Sequence, residues 1–240
     1  MSFDNTHIVI IGAAGGIGSA LARSLRSQGA RLLLIGRDAG RLAALGAELD
    51  APTKALDAAR VLDLEQALDS PITGIVNCAG SILLKPAHLT SEAEWQQTIE
   101  TNLTTAYATV RAGAKAMMAT GGSIVLCATA AARTGMANHE AIAAAKGGVM
   151  GLALSAAATY APRNIRVNCV APGLVDTPLA ARITSNEAAL KASTALHALG
   201  RIGRPEDVAS GIAWLLDPAN GWVTGQVLGI DGGLGTLRPR

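Results

Sequence analysis

The sequence predicts an α/β fold: a doubly wound parallel sheet of about seven strands, in a single domain covering residues 1–240. Three observations carry this reading. Short apolar runs alternate with stretches of helical character along the whole chain, the pattern of repeated strand–helix–strand units. The first run, residues 7–11, is continuously apolar rather than alternating, as in a parallel strand buried on both faces. The first run ends in a cluster of glycines, which lets a strand turn sharply into a helix.

Residues 7–11, His-Ile-Val-Ile-Ile, give the first strand, and 17–27 a helix stopped near Gly29. The unit then repeats, with a strand at 31–35 and a helix at 39–48, a strand at 53–56 and a short helix at 59–68. A strand at 72–76 precedes one long helix at 91–119, and a strand at 123–127 precedes a helix at 139–160. A strand at 165–170 leads to a polar-interrupted helical region at 176–199, a helix at 205–216 and a last strand at 226–230. The apolar run after Lys146 is rich in Gly and Ala and shorter than the roughly 20 residues of a bilayer span, so it reads as a buried helix. No linker or low-complexity tract divides the chain, which favours one domain.

Half of the 240 residues are apolar, enough for one well-buried core. The net charge of +2 is spread without a basic cluster, and aromatics are only 2% of residues. Neither a phosphate-tracking surface nor a base-stacking platform follows, so nucleic acid is excluded as a partner. Cys78, Cys127 and Cys169 are too few and too scattered for a disulfide framework, and a reducing, cytoplasmic setting is expected. The N-terminal residues carry Asp4 and no apolar core of a signal peptide. A small molecule is the expected partner. The three cysteines fall at the ends of the fourth, fifth and sixth strands; they read as small buried residues, without a metal or redox role.

Gly12-Ala13-Ala14-Gly15-Gly16-Ile17-Gly18 lies between the first strand and the first helix. Such a turn lets backbone approach a pyrophosphate, and the helix N-terminus offers free N–H groups and partial positive charge. The second strand ends at Gly36 and Arg37. An NAD site wants a carboxylate there for the ribose 2′-hydroxyl, whereas an NADP site wants a cation for the 2′-phosphate. Gly36 leaves no acid and Arg37 supplies the cation, so NADP(H) is expected over NAD(H). Asp38 is left as a pairing partner for Arg37 or a ribose contact.

The longer Gly-x-x-x-Gly-x-Gly spacing resembles that of the short-chain dehydrogenase/reductase family, and the likeness extends over nearly the whole chain. Asn77-Cys78-Ala79-Gly80, Asn168-Cys169-Val170-Ala171-Pro172-Gly173 with Thr177, Arg204-Pro205-Glu206-Asp207 and Asp231-Gly232-Gly233 resemble its ordered signatures. The resemblance implies a Rossmann-type NADP(H)-binding oxidoreductase. Its coenzyme would be held by Gly12, Gly16, Ile17, Gly18, Asn77, Ala79, Gly80, Lys146, Pro172, Gly173 and Thr177, with Asp57 at the adenine. Dimer or, more often, homotetramer formation is implied, with a substrate lid at 176–199.

In the resembled family a Tyr phenol moves the proton while hydride moves at the nicotinamide. A Lys four residues on binds the ribose, a Ser or Thr orients the carbonyl, and an Asn supports a water relay. Lys146, Thr129 and Asn102 match the last three; Ile142 stands where the Tyr would be. Three readings follow. His139, or Glu140, replaces the acid. Or the substrate is an activated C=C whose enolate is protonated by water, with Ile142 an apolar wall of the substrate pocket. Or the chain binds NADP(H) without turnover, as a sensor or structural partner. The expected activity is NADPH-dependent reduction of a carbonyl or activated C=C of a small molecule.

Overall fold

The strands β1 (His7–Ile11), β2 (Arg31–Gly36), β3 (Thr53–Ala55), β4 (Gly74–Asn77), β5 (Gly122–Cys127), β6 (Ile165–Pro172) and β7 (Val227–Ile230) form one sheet in the order β3-β2-β1-β4-β5-β6-β7. Every neighbouring pair is parallel. The computed structural model describes residues 2–68 and 71–238. All seven expected strands are found, each within about two residues of its expected ends. β1 pairs with β2 on one side and β4 on the other. Strand order reverses there, so a crevice opens at the C-terminal ends of β1 and β4, where doubly wound sheets bind ligands.

Helices cover both faces, as they must when strands are apolar throughout. On one face, α1 (Gly16–Ser27), α2 (Ala39–Leu49) and α9 (Pro205–Leu216) bury Leu21, Leu25, Leu42, Leu45, Ile212 and Leu216 against the strands. On the other, α3 (Val61–Ala67), α5 (Thr105–Met117) and α6 (Glu140–Tyr160) bury Leu64, Val110, Met117, Val149 and Ala153. Small residues set the spacing. A β-carbon at Gly113 of α5 would come within 2.6 Å of Ile75 in β4. With its terminal turn, the helix Glu140–Arg163 is 24 residues long and apolar enough to cross a membrane by length and composition. Val149, Ala153, Ala156 and Ala157 of this helix pack in the core against the sheet.

Two expectations change. The long helix at 91–119 is instead α4 (Glu92–Ile99), a π-helical turn at Glu100–Thr104, and α5. Side-chain donors compete for its backbone carbonyls: Asn102 Nδ2 donates to Thr98 O at 2.9 Å, and Thr105 Oγ1 to Thr101 O at 2.8 Å. Such competition loosens the regular ladder and admits the wider turn. The region at 176–199 resolves into a 3₁₀ turn at Pro178–Ala180, then α7 (Ala181–Thr184) and α8 (Glu187–Leu196). No residue of α8 is buried, so little apolar packing holds it to the body of the protein.

Candidate active site

A cleft of about 460 Å³ lies over the switch point, lined by the glycine loop, the end of β2, Asp57 and residues 78–80. The loop is closely fitted. Gly12 has φ +75°, and a β-carbon there would stand 2.7 Å from the Ala79 nitrogen. At Gly18 it would stand 2.3 Å from the Gly12 carbonyl, and at Gly16 2.5 Å from Thr177 Cγ2. Only hydrogen fits at these places, and the backbone itself lines the cleft. The N-cap of α1 is Gly15, with no side-chain cap and no acid in the first turn. Its free N–H groups and dipole suit a pyrophosphate.

At the far end of the cleft Arg37 and Arg41 are both exposed lining residues. Arg41 Nη2 donates to Ala14 O at 2.6 Å, which ties this arginine to the glycine loop. Asp38 caps α2, its carboxylate accepting from Arg41 N at 3.0 Å. Asp38 also lines the cleft, with one carboxylate oxygen engaged by this cap. Asp57 accepts from Ala59 N at 3.0 Å and also borders the cleft.

Behind Gly80, Lys146 Nζ donates to the Cys127 carbonyl at 2.7 Å. A β-carbon on Gly80 would stand 3.4 Å from that nitrogen and 3.0 Å from Asn102 Oδ1, so the two groups converge on a bare backbone position. Asn102, in the π-helical turn, accepts from Ser81 N at 3.1 Å and donates to Ser81 Oγ at 2.9 Å. Burial pushes the Lys146 ammonium down from its ordinary pKa, while the Cys127, Cys169 and Cys78 thiols act to raise it. Thr129 Oγ1 accepts from Ala131 N at 3.3 Å and caps the following turn. His139, Ile142 and Lys146 follow one face of α6 and its cap, at spacings of three and four.

The sequence profile of a family described as Enoyl-(Acyl carrier protein) reductase matches residues 12–235. The chain is 37% identical over 244 residues to cis-4-hydroxycyclohexanecarboxylate dehydrogenase of Sinomonas cyclohexanicum, covering 97% of each chain. It is 33% identical to galactitol 2-dehydrogenase (L-tagatose-forming) of Cereibacter sphaeroides, covering 96% of this chain and 95% of that one. A short-chain type dehydrogenase/reductase from Mycobacterium ulcerans superposes with a TM-score of 0.95 at 29% identity, over 100% of this chain and 93% of that one. The chain belongs to the short-chain dehydrogenase/reductase family.

As a member of this family the protein is an oxidoreductase of the NAD(P)-dependent kind. A further family structure is described as an NAD(P)-dependent gluconate 5-dehydrogenase from Beutenbergia cavernae with NADP bound at low occupancy. It superposes with a TM-score of 0.93 at 32% identity, covering 97% of this chain and 98% of that one.

Within this short-chain dehydrogenase/reductase, the cleft gathers Gly12, Gly16, Ile17, Gly18, Arg37, Asp57, Ala79, Gly80 and Thr177. Asn77, Lys146, Pro172 and Gly173 do not line it, nor do Asn102, Thr129, His139 and Ile142. Asn77 is buried with its amide spent inside the fold, accepting from Ala79 N at 2.9 Å and donating to Thr105 Oγ1 at 3.1 Å. It shapes the 78–80 turn. Gly173 makes room for His197, whose Nε2 would lie 2.5 Å from a β-carbon there. Ile142 is 5% exposed, so it gives a substrate little wall to lie against. Sequence reasoning missed Arg41 and Ser81; the only signal for Arg41 was its position four residues after Arg37 at a helix start. It also misplaced Cys169, which lies inside β6 with three strand residues still to follow.

Proposed function

We propose that the protein is an NADPH-dependent reductase acting on a carbonyl or an activated C=C of a small molecule. The observation that carries the coenzyme choice is the end of β2, where two cations, Arg37 and Arg41, face the cleft and the one acid beside them, Asp38, is engaged as a helix cap. The fitted glycine loop and bare α1 N-terminus suit the pyrophosphate, and Lys146 would hold the nicotinamide ribose. A nicotinamide bound there supplies hydride to the substrate.

The protein's own groups then divide the remaining work. Thr129 orients the substrate oxygen through its hydroxyl. Lys146 sets a positive potential beside that oxygen. Asn102 fixes the backbone at Ser81 and opens a polar route from Lys146. Ile142 takes the place of the family's tyrosine and has no proton to give, so the acid is His139 or water. His139 Nδ1 is within 2.8 Å of the Ala137 carbonyl, which leaves Nε2 free. Its ring sits about 10 Å along the helix from Lys146, at 1.5 Å per residue. That separation favours the reading in which water protonates an enolate. Residues 176–199 would close over the substrate as a lid, consistent with the unburied α8.

Titration of NADPH and NADH, followed by nicotinamide fluorescence, tests the coenzyme assignment. NADPH binds more tightly, and Arg37→Ala weakens it by about tenfold or more, the scale of one charge-assisted hydrogen bond. Equal affinities overturn the assignment. NADPH oxidation against ketones, quinones and enoyl thioesters tests the chemistry; tight NADPH binding with no turnover would make the protein a coenzyme-binding sensor.

A further inference from the structure

Cys78 and Cys127 have no part in the chemistry above, yet the fold sets them side by side. β4 and β5 pair in parallel with Asn77 opposite Leu126, and the next step brings Cys78 opposite Cys127. Both side chains pack on the same core layer as Val76 and Val125, two residues earlier in each strand. Adjacent strands lie about 4.8 Å apart, inside the 4.4–6.8 Å Cα separation of disulfides. Cys78 lines the cleft alongside Gly12 and Gly80, and both cysteines keep some solvent exposure.

The electrostatics make the two sulfurs unequal. The bond from Cys78 and the nearby Lys146 ammonium hold the Cys127 thiol below its ordinary pKa, against burial. The same bond, together with burial, pushes Cys78 well above it. Cys169, on the other face of the sheet, is pushed up to about 12 by burial. Cys78 lines the cleft, and Cys127 lies directly behind it on the neighbouring strand.

We propose that Cys78 and Cys127 form a reversible disulfide when a peroxide enters the coenzyme-free cleft. One thiolate of the pair attacks one peroxide oxygen and the O–O bond breaks, leaving a sulfenic acid on that cysteine. The departing hydroxide takes the proton that this thiol released and becomes water. The other sulfur then attacks the oxidised one; the S–S bond forms, the S–OH bond breaks, and a second water leaves with the second thiol's proton. Two thiols lose two electrons and one peroxide becomes two waters. A coenzyme in the cleft covers Cys78 and closes the peroxide's way to the pair. By linkage, the oxidised protein then binds coenzyme more weakly.

The test treats the full chain with hydrogen peroxide and maps its peptides. A Cys78–Cys127 cross-link forms and dithiothreitol reverses it. NADPH at about 100 times its Kd slows the reaction about 100-fold, since only coenzyme-free protein reacts. With either cysteine of the pair replaced by Ser, oxidation stops at a sulfenic acid on the other, which dimedone traps. Absence of the cross-link, a cross-link through Cys169, or an unchanged rate under saturating coenzyme overturns the proposal. The shielding arm rests on the coenzyme cleft alone: shielding by NADH and not NADPH would sink the coenzyme assignment and leave the thiol pair standing.

Discussion

At Gly12 a single hydrogen separates a working loop from a broken one. Its φ of +75° disfavours any side chain, and a β-carbon would press on the Ala79 nitrogen at 2.7 Å. Gly12→Ala costs about 1–2 kcal/mol from the left-handed backbone alone, and the loop shifts to relieve the clash. The expected result is a large loss of coenzyme affinity with a modest fall in melting temperature, read by fluorescence titration and calorimetry. Ile142 offers the opposite experiment. Ile142→Tyr sets a phenol one helical turn from Lys146, whose positive charge lowers a phenol's pKa. Overpacking this buried position costs about 1–3 kcal/mol. The variant gains ketone reduction over the wild type in an NADPH-oxidation assay; no gain would mean that Thr129 and Lys146 are not aligned for a carbonyl. His139→Ala leaves enone reduction nearly unchanged if water is the acid, and lowers it by about 10²-fold if the imidazole is.

The elements differ in how plainly the sequence announced them. β1 and β2 were legible because their apolar runs are unbroken and end at a glycine, Gly12 and Gly36. The π-helical turn at Glu100–Thr104 was not, because its cause is side-chain bonding by Asn102 and Thr105 within a segment whose composition reads as helix throughout. The glycine loop and Lys146 were visible as motifs, while Arg41 and Ser81 became apparent only through contacts across the cleft. The start of α4 was legible: Ser91 and Glu94 form a capping box, and Lys85 pairs with Glu94 at 2.8 Å. Ser91→Ala costs about 1 kcal/mol, lowering the melting temperature by about 2–4 °C in a chain of this size. Lys85, with Ser91, holds the Glu94 carboxyl down at about 2 against an ordinary 4.5. A folded-state pKa below the unfolded one stabilises the fold above pH 4.5, and that contribution fades as pH falls toward about 2. Glu94→Gln is therefore less stable than wild type at pH 7 and no longer distinguishable near pH 2, by denaturant titration at each pH.

Across the whole molecule, an open cavity of about 360 Å³ lies between α5 and α6, lined by Tyr107, Leu152 and Tyr160. Tyr107 and Leu154 are exposed beside it, and Trp222 is fully exposed elsewhere. Apolar surface of this kind suits contact between copies, and a dimer or tetramer is expected by light scattering. Tyr107→Glu shifts the population toward smaller species; a monomer independent of concentration in the wild type defeats the expectation.

The strand order has a consequence for how the chain is made. Reading β3-β2-β1-β4-β5-β6-β7 against chain order, each new strand joins an edge that is still open. β2 adds to β1 and β3 to β2; β4 then takes the other side of β1, and β5, β6 and β7 follow outward in turn. No strand has to be threaded between two already joined. A ribosome delivering residues from the N-terminus can therefore build the sheet in the sequence of translation, with only the outermost edges awaiting partners at any moment.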